Sequence, residues 1–221
     1  MSETGYVQLL DLAGGALLLT AVLILWRREF AVIVRVFAFQ GLALAALVAV
    51  LAAHEHSAEL WIVAVGVLVL RAGVLPWLLL RAVKGDGDVP RETAPLVNVA
   101  SSLLAAAVLT LVAYAVSRPL VALAPSPATQ AIPVGITVVL IGFFVLVTRR
   151  RALSQLVGFL LLDNGITAVG FLTTSSAGLI VELGVSLDVL LAVLVLRILT
   201  SRMRETFGGT DLDELRELRD S

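Results

Sequence analysis

The chain contains no cysteine, which excludes disulfides, thiolate-held metals and iron–sulfur clusters carried by its own residues. Histidine is almost as scarce. His54 and His56 are the only two and lie together at one expected helix end, so a haem held between two facing helices does not fit. Lysine occurs once, at Lys84 in an expected loop, which leaves no mid-helix amine for a retinal Schiff base. Charge of either sign is thin: 15% of 221 residues are charged, with a net charge of −1, and no basic face for nucleic acid is evident. No cofactor is expected in this chain, and any redox chemistry belongs to partners.

What is abundant is apolar residue. At 59% hydrophobic composition and a mean hydropathy of +1.02, the chain lies far outside the range of a soluble domain and reads as an all-α polytopic membrane protein. Apolar runs of spanning length occur at about Tyr6–Trp26, Phe30–Ala53, Ala58–Val83, Leu96–Val116, Ala131–Thr148, Ala152–Leu172 and Gly178–Ser201, which predicts seven transmembrane helices. The first has no basic n-region and runs too long for a signal-peptide core, so it is expected to be retained.

Basic residues recur at every second loop: Arg27-Arg28, then Arg81, Lys84 and Arg91, then Arg149–Arg151, then Arg202 and Arg204. The alternate loops hold only Arg118. Positive charge marks the cytoplasmic side, so the N-terminus is expected outside and the C-terminus inside. The segment SRPLVALAPSPATQAIP carries four prolines and reads as an irregular outer cap. In the tail, Gly208-Gly209 breaks the helix and Thr210 can cap a short new one lined by Leu212, Leu215 and Leu218.

Laying ILWRREFAVIVRVFAFQGLALAALV beside VLVTRRRALSQLVGFLLLDNGITAVGF shows a repeat: a basic junction, an apolar run, then Gln40-Gly41 against Asn164-Gly165. With one linking helix the plan is three plus one plus three, two parallel triplets in the membrane. The expected units are 1–85, a linking helix and loops over 86–130, a second triplet over 131–202, and a cytoplasmic tail over 203–221. The first triplet lacks the mid-span acid of the second, since Phe39 stands where Asp163 would match.

Those acids are the candidate site. From Ala152 the sixth run is about 20 residues, enough for a hydrocarbon core of about 30 Å, which places Asp163 near mid-membrane. A charge there costs at least ~2.5 kcal/mol, so an intramembrane acid is a functional candidate by default. Asp188 is expected at the same depth on the seventh run, with Glu182 nearer the outside. Arg71 lies near the middle of the third run, in VLVLRAGVLPWLLL, with Pro76 disturbing the helix one turn later. A guanidinium stays charged and must pair inside the bundle, and Asp163 and Asp188 are its partners by depth. Gln155, Asn164 and Thr167 are expected to hold water near Asp163, while Asn98, Ser101 and Ser102 satisfy helix ends. Arg35 and Arg197 are expected to snorkel to the surface. His54-Glu55-His56 lacks the ligands of a structural zinc site, so no metal is expected there.

The basic junction, LVGFLLLDNG and VELGVSLDVLLAVLVLRIL together resemble the hydrogenase-4 component E family over essentially the whole chain. More distantly, about the last 90 residues resemble the K subunit of respiratory complex I and the C subunit of Mrp-type antiporters. The resemblance implies a prokaryotic inner-membrane subunit of a complex I-related assembly, such as a group 4 hydrogenase or formate hydrogenlyase. Antiporter-like subunits, a hydrogenase-like module and membrane lipid would be its partners. It also implies that Asp163 and Asp188, with Glu182, take part in proton or cation translocation coupled to electron transfer elsewhere, and that the chain is not an enzyme by itself. Component E relatives commonly carry glutamate where this chain has Asp163, and the first K-type glutamate falls near Leu160, one turn earlier. Two other readings compete: a self-contained solute carrier of the SWEET type, which shares the three-plus-one-plus-three plan, and a structural membrane anchor whose buried charges specify packing.

Overall fold

A computed structural model describes residues 1–84, 97–149 and 152–173. The expected seventh span, with Glu182, Asp188 and Arg197, and the cytoplasmic tail lie outside the described residues. Over the described part the chain is all helix: α1 (Glu3–Trp26), α2 (Phe30–Glu55), α3 (Ala58–Val67), a π-helical segment (Leu68–Val74), α4 (Leu75–Lys84), α5 (Val99–Leu123), the short α6 (Pro127–Gln130), α7 (Ile132–Thr148) and α8 (Ala152–Thr173). With α3, the π segment and α4 forming one continuous rod, six of these stretches are long and apolar enough to cross a membrane. The protein is a multi-pass membrane protein.

Local chemistry accounts for the boundaries. Ser2 caps α1 by accepting from the Gly5 amide at 3.3 Å, Ser57 caps α3 by accepting from Leu60 at 3.3 Å, and Asn98 caps α5 by accepting from Ser101 at 2.8 Å. α2 ends at His56 in the left-handed conformation, φ 54°, which reverses the chain into α3. Ser126 and Thr129 form a reciprocal capping box around α6, with Pro127 at its start.

The expected irregular cap at SRPLVALAPSPATQAIP is corrected in part. α5 continues through Arg118 and Pro119 to Leu123, and only residues 124–126 before α6 are non-helical. Pro119 removes a single backbone hydrogen bond. The neighbouring Ser117 hydroxyl bonds back to the Ala113 and Tyr114 carbonyls at 2.7 and 3.3 Å, and the helix persists.

In a bilayer, apolar burial drives helix association little, and close packing through small residues takes its place. α7 and α8 show this. Gly135 and Gly142 on α7 meet Gly165 and Gly158 on α8 at matching seven-residue spacing, and a Cβ at Gly165 would lie 2.6 Å from the Val139 amide and 2.9 Å from the Gly135 carbonyl. No larger residue fits there without separating the helices. α2 packs on α1, on the α3–α4 rod and on α8, so its mid-section is enclosed, whereas α5 lies at the periphery with most of its surface exposed.

Candidate functional site: a buried arginine–aspartate centre

Arg71 lies within the π segment. Pro76 supplies the reason: it has no amide hydrogen and its ring crowds the preceding turn, which a wider i to i−5 turn relieves. The Leu75 amide accordingly bonds to the Leu70 carbonyl. α2 approaches this segment at Gly41, where a Cβ would lie 2.6 Å from both the carbonyl carbon and oxygen of Arg71. Glycine at 41 thus lets two backbones touch at the residue whose side chain carries the charge.

The guanidinium of Arg71 is 2% exposed, the bulkiest of the fully enclosed side chains. Its Nη1 lies 2.6 Å from Oδ2 of Asp163 on α8. The same nitrogen donates to Oδ1 of Asn164, and Nη2 donates to Thr167 Oγ1 at 2.8 Å. Asp163 and Thr167 are one helical turn apart and Asn164 follows Asp163 by about 100°, so one broad face of α8 presents three oxygens to one planar fork. Although Asp163 Oδ2 is within ion-pair distance, it receives no aligned hydrogen bond. The Arg71–Asp163 contact is one of charge and proximity, while aligned N–H bonds run to the neutral neighbours.

A second layer of polar groups joins this centre to α1. Asn164 Nδ2 donates to Gln40 Oε1 at 3.1 Å, and Gln40 Nε2 donates to the Leu17 carbonyl at 3.5 Å. Four spans, α1, α2, the α3–α4 rod and α8, are tied at mid-length through side chains that the apolar surroundings close off.

The sequence-expected residues therefore divide. Arg71, Asp163, Asn164 and Thr167 come together. Gln155 does not: its Nε2 donates to the Arg149 carbonyl at 2.9 Å, eight residues and about 12 Å of helical rise from Asp163, so it supports the start of α8 instead. Asp188 and Glu182 lie outside the described residues. Gln40 was visible in the repeat as the counterpart of Asn164 but not as its partner. A mid-span amide on a helix of otherwise apolar residues is the signal that points to it.

Arg149 also departs from expectation. Read as a surface arginine marking a membrane boundary, it is 6% exposed and its Nη2 reaches the carbonyls of Ile24, Leu25 and Arg27 at 3.4–3.5 Å. These are the unpaired carbonyls at the C-terminus of α1, where a cation is favoured by the helix dipole. Arg35 is exposed, in keeping with snorkelling. His54 stacks on Tyr6 with ring centroids 3.9 Å apart, and among the described residues no group of three or more His, Cys, Asp or Glu side chains could hold a metal.

Fold and site together define a multi-pass membrane protein organised on a mid-span cation and its acid. The chain belongs to the family of the Mycobacterium tuberculosis protein Rv0085, an uncharacterized protein with which it is 52% identical over 220 residues, covering 100% of both chains. It is also similar, at 26% identity over 216 residues and 98% of its length, to hydrogenase-4 component E of Escherichia coli K12, of which 99% is covered; the Shigella flexneri protein matches equally. No family model and no solved structure matches the chain.

Proposed function

We propose that the chain is a non-catalytic membrane subunit of a complex I-related, hydrogenase-4-like oxidoreductase, in which Asp163 takes up and releases protons as electrons move in a partner. The observation that carries this reading is the ion pair between Arg71 and Asp163 at mid-span, in a chain related end to end to a hydrogenase-4 component. A buried pair that only held helices together would gain little over apolar packing. Ionisable groups in this position are characteristic of ion pathways.

The chemistry follows from charge. With Asp163 ionised the Arg71–Asp163 pair is neutral, and protonation of the acid changes the charge of the pair from zero to plus one. Arg71 cannot give up its own proton, so it is the fixed member and Asp163 the switchable one. Asp188, on a seventh span at about 178–201, is the second acid of this reading, and Glu182 the group nearer the outside. The N-out, C-in orientation and the three-plus-one-plus-three repeat belong to the same proposal. So do the inner-membrane location and the large antiporter-like and hydrogenase-like partners.

Purification of the tagged chain from native membranes tests the reading. Recovery with large membrane subunits and a redox module is expected. A chain that purifies alone and takes up a small solute in vesicles would establish the carrier reading instead.

A further inference from the structure

Arg71 can only donate hydrogen bonds, and the Leu17 carbonyl can only accept them. Two amides stand between these one-signed ends. Arg71 Nη1 donates to Asn164 Oδ1, Asn164 Nδ2 donates to Gln40 Oε1 at 3.1 Å, and Gln40 Nε2 donates to Leu17 O at 3.5 Å. Only groups that both accept and donate can fill the two middle places, and the direction of the chain then leaves no choice of amide orientation. Gln40 is 0% exposed, so no bulk solvent can replace it. From the same geometry, the guanidinium has two neutral acceptors, Asn164 and Thr167, besides its acid.

We infer that Gln40 is a positioning residue for the centre: by taking the Asn164 amide hydrogen it keeps the Asn164 oxygen on Arg71, and so holds the guanidinium in place whether or not Asp163 carries its charge. The inference rests on the reading of Asp163 as a proton-exchanging acid. Its consequence is that the acid can be neutralised without the arginine following the proton, because the arginine is anchored on α8 by groups that do not titrate. Without Gln40 the Asn164 amide is free to turn, its nitrogen faces the guanidinium, and Arg71 loses the Asn164 acceptor.

Nitrogen-15 NMR of the full chain in lipid bilayers, with guanidino-labelled arginine and the Arg71 signal assigned through Arg71→Lys, reads this directly and needs no proton flux. It therefore stands or falls separately from transport. The Arg71 Nη signal is expected at nearly the same position in the parent chain and in Asp163→Asn. In Gln40→Leu it is expected to move by more than its linewidth, and to move further when Asp163→Asn is added. Gln40→Met, unbranched and similar in length, serves where leucine disturbs the packing of α2. The paired exchange Gln40→Asn with Asn164→Gln, which conserves the number of methylenes between Arg71 and Leu17, is expected to return the signal. An Arg71 signal unmoved by loss of the Gln40 amide would overturn the inference, as would one displaced as far by Asp163→Asn alone.

Discussion

Nη1 of Arg71 lies 2.6 Å from Oδ2 of Asp163, yet aligned hydrogen bonds of the guanidinium run to Asn164 and Thr167, next to that acid on the same helix. The guanidinium is thus held on α8 by two neutral side chains as well as by the acid.

Removing the cation is expected to do more harm than removing the anion. Arg71→Leu leaves Asp163 enclosed without its counter-charge and should cost about 3–5 kcal/mol, read as loss of folded, monodisperse protein in detergent. Arg71→Lys should not rescue fully, because an ammonium point charge cannot span Asp163, Asn164 and Thr167 as a planar fork does. Asp163→Asn should retain the fold.

Gly41→Ala should displace the π segment, since its Cβ would lie 2.6 Å from backbone atoms of Arg71 and 2.8 Å from the Ala72 amide. Overpacking of this kind costs about 1–3 kcal/mol. Gly73→Ala and Gly66→Ala, with nothing within 4 Å of the added carbon, are the controls and should melt like the parent chain.

Much of this was legible from composition and spacing, and the reasons are uneven. The six described spans follow from run length, because the bilayer demands unbroken apolar helices. Depth alone narrowed the partners of Arg71 to Asp163 and Asp188, because a mid-span charge has few places to go, and the structure brings Asp163 to it. Rotation about each helix axis was not legible: it sends Gln155 to the Arg149 carbonyl and brings Gln40 to Asn164, and hydropathy is blind to it when all faces are apolar. Proline count misled at Pro119, where the helix persists. The arginine run at 149–151 signalled a boundary, but not that Arg149 turns inward onto the end of α1.

Arg149→Ala should destabilise the chain by about 1–2 kcal/mol, through loss of the cation at the carbonyls that end α1. Arg28→Ala, an exposed neighbour on the same junction, should fall within about 0.5 kcal/mol of the parent chain. Thermal melting of the two variants side by side reads the difference.

The closest packing in the described structure lies between α7 and α8, and it sets the register at which α8 presents Asp163. Gly165→Ala should force the pair apart, because the new carbon would meet the Val139 amide at 2.6 Å. Gly170→Ala on the same helix has open space and should be silent in the same melting assay.

The central claim is that Asp163 exchanges protons during turnover of a larger complex. The direct measurement is proton movement into vesicles reconstituted with the purified assembly, comparing the parent chain with Asp163→Asn and Asp163→Glu at equal electron-transfer rate. The account predicts that Asp163→Asn assembles fully but moves several-fold fewer protons per electron, and that Asp163→Glu restores part of the yield. An Asp163→Asn complex that moves protons as the parent does would contradict it and leave the Arg71–Asp163 pair as a fastening between helices.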